Sequence, residues 1–202
     1  MSKEDIFWNW FELNSSKYYY INQIDDLVEK EKLLDDFLKH LHDYCDKLFF
    51  KIGGTPNEPQ ELIISAEGNK HCFHIVEALV TKAPEIDGWK IIAFKPPMGV
   101  DFVTEYDGIK LDPHEIWFLP LDNENDPNEL GLRLCFQNYN PKKEKIFLEG
   151  CYQVLDTILG EKSVMFDLQH VEVAKLPRRP EENGLIELSE LPKYIAWRKT
   201  KV

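Results

Sequence analysis

The chain has 202 residues, with 36 Asp and Glu against 24 Lys and Arg, and a formal net charge of −12. At this length roughly 70% of the unfolded chain's surface is buried on folding, so a core forms without disulfides or metal. The acid excess excludes a general nucleic-acid binder, which needs a basic face against phosphates, and docking on anionic membranes.

Hydrophobic residues make up 43% and charged residues 30%, the balance of a soluble globular protein. One α+β domain is expected over residues 1–202. Ser2 with Asp5 reads as a capping box. It opens a short helix with Ile6, Phe7, Trp10 and Phe11 on one side. Asn22 with Asp25 repeats the device. Behind it Ile24, Val28, Leu34, Leu38, Leu41 and Cys45 fall at helical spacing, so a helix is expected over about 23–46. The N-terminal helices thus cover 3–46. The aromatics Trp8, Trp10, Phe11, Tyr18, Tyr19 and Tyr20 read as a clamp closing one end of the core rather than a binding platform.

The period then changes to that of strands. Leu48–Ile52 reads as a strand, Gly53-Gly54-Thr55-Pro56 as a turn, and Leu62–Ala66 as a central strand, apolar on both faces. Gly68-Asn69 starts a helix burying Cys72, Phe73, Val76, Leu79, Val80 and Ala83, and Trp89–Phe94 is the next strand. Residues 101–106 and 109–111 read as a hairpin about Asp107-Gly108. Ile116–Leu121 is a strand, and Leu130 to Gln137 alternates as a half-buried one. Asn140-Pro141 opens a helix that Gly160 closes. Val164–Leu168, running on through Val171 and Val173, reads as a strand, and Ser189 starts a last helix over about 189–200. Strand, strand, helix, strand therefore occurs twice, in halves 47–97 and 115–176, at offsets of 68 to 74 residues. This implies two pseudo-duplicated ββαβ units, with helices packed on mixed or antiparallel sheet.

The charge is local. Residues 101–129 hold nine acids, among them Asp107, Asp112, Asp122, Glu124, Asp126 and Glu129, and one base, Lys110. The alternating oxygens of Asp122 to Asp126 resemble a calcium loop, but Pro127 and Arg133 stand where an EF-hand needs Gly and Glu, so a polar hairpin loop is expected. His71, His74 and Glu77 form the one dense group of metal-ligating residue types, on a single helical side. They match neither the zincin spacing nor paired Glu-x-x-His motifs, so a solvated helix face is expected. Cys45, Cys72, Cys135 and Cys151 contain no C-x-x-C and read as buried free thiols of a reducing compartment. The N-terminus carries no apolar signal region, and a cytoplasmic location is expected. No phosphate loop or G-x-S-x-G elbow is present, and no cofactor is expected.

Three stretches share a spacing: Phe7-Trp8-Asn9-Trp10-Phe11, Leu62-Ile63-Ile64-Ser65-Ala66-Glu67-Gly68, and Gly88-Trp89-Lys90-Ile91-Ile92-Ala93-Phe94-Lys95-Pro96. This resembles a family of uncharacterised bacterial cytoplasmic proteins. The resemblance implies a compact α+β fold and a bacterial origin, and carries no activity or site residues. The residues themselves favour a non-enzymatic protein-binding or regulatory module whose acidic face neutralises a basic protein partner, as monomer or homodimer. The alternatives are a metal-assisted hydrolase built on His71, His74 and Glu77, and a homo-oligomeric structural protein pairing through an edge at strands 116–121 and 130–136.

Overall fold

A computed structural model describes residues 1–54, 58–122 and 129–201. Thr55 and Pro56 of the expected turn lie outside the described residues. The chain divides into two compact units, Met1–Lys95 and Pro96–Val202, and the two expected ββαβ halves fall chiefly one in each.

In the first unit, α1 (Lys3–Tyr18) starts with the expected capping box at Ser2 and Asp5. The helix is longer than expected, and its buried side differs: Phe7, Trp8, Phe11 and Tyr18 are buried, while Ile6 is exposed. α2 (Leu27–Tyr44) is capped by Asp26, whose side chain accepts from the Val28 and Glu29 amides. Asn22 lies instead in a separate 3-10 turn, Ile21–Gln23, and its side chain reaches the Ile52 carbonyl at 3.1 Å. Strands β1 (Phe49–Gly53), β2 (Gln60–Ser65) and β3 (Trp89–Ala93) form a sheet in that order. β1 is antiparallel and β3 parallel to the central β2. The helix α3 (Phe73–Thr81) bridges the parallel pair. Phe37 of α2 meets Phe50 with ring centroids 4.1 Å apart, and Phe11 of α1 meets Trp89 at 5.1 Å. The Trp8 indole N–H donates to the Leu79 carbonyl of α3 at 2.7 Å. Trp8, Phe11 and Tyr18 are therefore core, an apolar cluster with two satisfied polar handles, the Trp8 indole and the Tyr18 hydroxyl, which donates to Asp36 at 3.0 Å; Tyr20 is exposed.

The second unit opens with the hairpin β4 (Thr104–Tyr106) and β5 (Ile109–Leu111). Its main sheet has the order β8-β7-β6-β9, with β6 (Trp117–Asp122), β7 (Leu130–Phe136), β8 (His170–Lys175) and β9 (Ile186–Glu187). Here too the first pair is antiparallel and the second parallel. The helices α4 (Glu144–Leu159) and α5 (Glu161–Asp167) make the crossover, and α6 (Leu191–Lys199) follows β9. Leu132, Leu134 and Phe136 of β7 share a buried cluster with Phe118, Phe147, Val154 and Leu155. Of the strand expected from Val164 on through Val171 and Val173, residues 164–167 are helix and Leu168 is its extended C-cap; the strand proper begins at His170. Gly160, at φ 77°, ends α4 and starts α5 in one residue.

The ββαβ pattern thus occurs twice, and its register shows how the copies correspond. The amide after β3 (Phe94) bonds the Ile64 carbonyl at 2.8 Å, and the amide after β8 (Leu176) bonds that of Phe136 at 3.0 Å. Setting Ile64 on Phe136 places the Glu61–Lys90 ion pair on the Arg133–Glu172 ion pair, each bridging the parallel strands with the charges exchanged. The correspondence is 72 residues at the central strand and 82 at the third, because the second copy carries α5 and a longer crossover helix. The edge expected at 116–121 and 130–136 is covered only in part: β7 lies between β6 and β8, and β9 pairs with β6 at Trp117 and Phe118, so that Leu119–Asp122 have β7 as their only strand partner among the described residues. Among the described residues no helix is long and apolar enough to cross a membrane.

Candidate functional site

The acid-rich stretch begins on the hairpin β4–β5. Its turn residues Asp107 and Gly108 have φ 48° and 77°, the two positive values a type I′ turn requires. The register sets Glu105 opposite Lys110. The Lys110 ammonium lies instead 3.1 Å from Asp112 and 2.7 Å from Glu115, and those carboxylates, Glu115 first, raise its pKa. Burial works against the Asp112 carboxylate, but the His114 amide and Lys110 hold its pKa below the ordinary value. Glu105 and Asp107 are exposed, with no ion pair among the described residues.

His114, which the sequence reading passed over, links the turn before β6 to two other segments. Its Nδ1 is 2.9 Å from Glu187 Oε1 of β9 and its Nε2 3.3 Å from Asp101 Oδ1. Both carboxylates, Glu187 before Asp101, raise the imidazole pKa. Glu187 also accepts the Ser189 hydroxyl, and that bond, together with His114, overcomes partial burial to lower its pKa. At the far end of β6, Arg198 of α6 pairs with Asp122 and donates from Nη2 to the Glu129 carbonyl at 2.9 Å. Its side chain is only 15% exposed. One guanidinium thereby ties together the two ends of the 122–129 connection. Glu124 and Asp126 lie outside the described residues.

The stretch is consequently two groups rather than one surface. Asp112 and Glu115 precede β6 and Asp122 ends it, and a six-residue strand is about 20 Å long. Each group carries its own cations, Lys110 and His114 in one and Arg198 in the other. Sequence order offered no signal for the Arg198 pair, because its partners stand 76 and 69 residues away.

The helical group is spread along one exposed run. His71 belongs to a 3-10 turn, Lys70–Cys72, His74 to the first turn of α3, and Glu77 to the next; all three are exposed. Among the described residues no group of three or more His, Cys, Asp or Glu is placed to hold a metal ion. Cys72, between the two histidines in sequence, is buried, and its burial raises the thiol pKa.

Compared with known proteins, the chain matches no family model, no curated protein and no solved structure. The three stretches that carry the family resemblance do meet in space, since Trp8 and Phe11 of the first contact Leu79 and Trp89, and the second and third are the paired strands β2 and β3. Their spacing is that of one packed core.

Proposed function

We propose that the protein is a cytoplasmic, non-enzymatic protein-binding or regulatory module that meets a basic partner through the acids of hairpin β4–β5. The observation carrying this reading is the direction of Lys110. The one base of residues 101–129 is committed to Asp112 and Glu115, which leaves Glu105 and Asp107 exposed on the hairpin. A basic partner reaching these two breaks no ion pair. Engaging Asp112, Glu115 or Asp122 would cost the Lys110 or Arg198 pair as well. Four free cysteines fit a reducing compartment.

The test is capture of partners from a lysate of the producing cell at low and high salt, with wild type and the double reversal Glu105→Lys/Asp107→Lys. Glu31→Lys, an exposed position on α2, is the charge control. A salt-sensitive partner retained by the control and weakened by about tenfold or more in the double variant supports the reading. Binding indifferent to the hairpin reversals overturns it.

A further inference from the structure

The chain contains three steps at which Asp or Asn precedes glycine: Asp87-Gly88, Asp107-Gly108 and Asn183-Gly184. At such a step the glycine amide can attack the side-chain carbonyl carbon before it, because the glycine carries no Cβ to crowd the approach. The reaction needs an unbonded amide, an unbonded side chain and room for the backbone to turn. The fold leaves these at one step and removes them at two.

At Asn183-Gly184 the reacting groups are occupied. The Gly184 amide donates to the Glu181 carbonyl at 3.0 Å, and Asn183 Nδ2 donates to the Arg179 carbonyl at 2.6 Å. At Asp87-Gly88 the backbone is pinned. The Gly88 carbonyl accepts the Gln60 amide at 2.8 Å, the Trp89 amide closes on the Ile86 carbonyl at 3.0 Å, and the Tyr19 ring fills the space beside the Gly88 α-carbon. Asp107-Gly108 differs on each count. Both residues are exposed at the tip of hairpin β4–β5. Among the described residues neither the Gly108 amide nor the Asp107 carboxylate has a hydrogen-bond or ion-pair partner. A Cβ at Gly108 would meet nothing within 4 Å. The hairpin pairs only three residues a side, so its tip opens at little cost.

We propose that Asp107-Gly108 is a modification site, where the aspartyl bond isomerises spontaneously to isoaspartyl through a succinimide. In the first step the Gly108 nitrogen attacks Asp107 Cγ while that carboxyl is protonated. The N–Cγ bond forms and one Cγ–O bond breaks. The oxygen leaves as water, with the carboxyl proton and the amide proton. In the second step water adds at the main-chain carbonyl carbon of Asp107. The bond from that carbon to the Gly108 nitrogen breaks; the hydroxyl stays on carbon and the other proton goes to nitrogen. Nothing is oxidised or reduced, and the mass is unchanged. The chain now runs through Cγ, with one more carbon in the backbone, and the carboxylate sits on Cα. The type I′ turn holds Asp107 at φ 48° and Gly108 at 77°, and a two-residue loop has no place for the added carbon. The Tyr106–Ile109 pair that closes the hairpin is therefore lost. The bearing on a partner rests on the function proposed for the hairpin acids: isomerisation displaces the Glu105 and Asp107 carboxylates without removing either charge.

The test incubates the full-length protein at neutral pH, folded and in parallel unfolded in guanidinium chloride, and follows all three steps by peptide mapping. Isoaspartyl peptides are separated by chromatography and confirmed by electron-transfer fragmentation. Folded, Asp107 is expected to react within about threefold of its unfolded rate. Asp87 and Asn183 are expected to be slowed about tenfold or more, since each step must first give up hydrogen bonds. Asp107→Glu, whose larger ring closes far more slowly, keeps the charge and abolishes the hairpin signal alone. An Asp107 protected as strongly as the other two overturns the proposal. So does Asp87 or Asn183 reacting at its unfolded rate, or a hairpin isoaspartyl signal that survives Asp107→Glu. Isoaspartyl protein that captures the partner undiminished supports the modification and counts against the hairpin as the binding surface, so the two fail separately.

Discussion

Gly88 offers a quantitative test of how the first unit is closed. It precedes β3 at φ 76°, and its carbonyl accepts the Gln60 amide at 2.8 Å, the first bond of the β2–β3 pairing. A Cβ at this position would stand 2.7 Å from Tyr19 Cε2 and 3.3 Å from its Cζ. Tyr19 is held edge-on between Tyr20 at 4.9 Å and Trp89 at 6.0 Å, so it cannot yield without losing ring contacts. Gly88→Ala therefore meets two costs: about 1 kcal/mol for a left-handed alanine and about 1–3 kcal/mol for displacing a packed ring. A loss of about 2–4 kcal/mol is expected. Tyr19→Ala removes the obstruction, so in the double variant the alanine at 88 should cost only the backbone part, about 1 kcal/mol. Urea unfolding of the four proteins, followed by tryptophan fluorescence and far-UV circular dichroism, measures the cycle. A Gly88→Ala protein within about 0.5 kcal/mol of wild type, or two additive substitutions, would refute the steric argument.

The His114 cluster predicts a pH dependence. Its pKa is raised in the folded state by Glu187 and Asp101, so the folded protein holds the proton more tightly than the unfolded chain. The resulting stability is complete below the ordinary imidazole value and disappears as pH rises through the raised one. His114→Gln should flatten the stability–pH profile across that window, and an unchanged profile would exclude the cluster as its source. At the other end of β6, Arg198→Lys replaces two guanidinium arms by one ammonium, which cannot hold both Asp122 and the Glu129 carbonyl. A loss of about 1–2 kcal/mol in thermal unfolding is expected. Amide exchange should also quicken where Asp122 pairs with Leu130; unchanged exchange there would show that the pair does not close the connection.

Much of the local structure was legible because its causes lie within a few residues. The Ser2–Asp5 capping box, the Asp107-Gly108 turn and the Asn140-Pro141 helix start all appear as the sequence implies, whereas β7, expected to be half-buried, is central in its sheet and buried on both faces, with only Arg133 partly exposed. The segment 161–167 did not, since Val164, Met165, Phe166 and Leu168 form a short apolar run that periodicity cannot assign to strand or helix. The two residues of β9 carry no pattern, and they form a strand only because β6 has a vacant side beside them. Asp26 rather than Asn22 caps α2 because Asn22 is drawn to the Ile52 carbonyl.

The candidate sites divide in the same way. The sequence alone determined that acids concentrate in residues 101–129 and that the fold repeats ββαβ, since composition and hydrophobic period are properties of a local stretch. Only the tertiary structure decided which acids keep a free charge. Lys110 turns to Asp112 and Glu115, Arg198 arrives from α6 to hold Asp122, and β6 separates the two groups. A side chain's partner across 76 residues depends on which elements the shared core brings side by side. That is fixed by burial of whole helices and strands, of which the charged side chains are passengers.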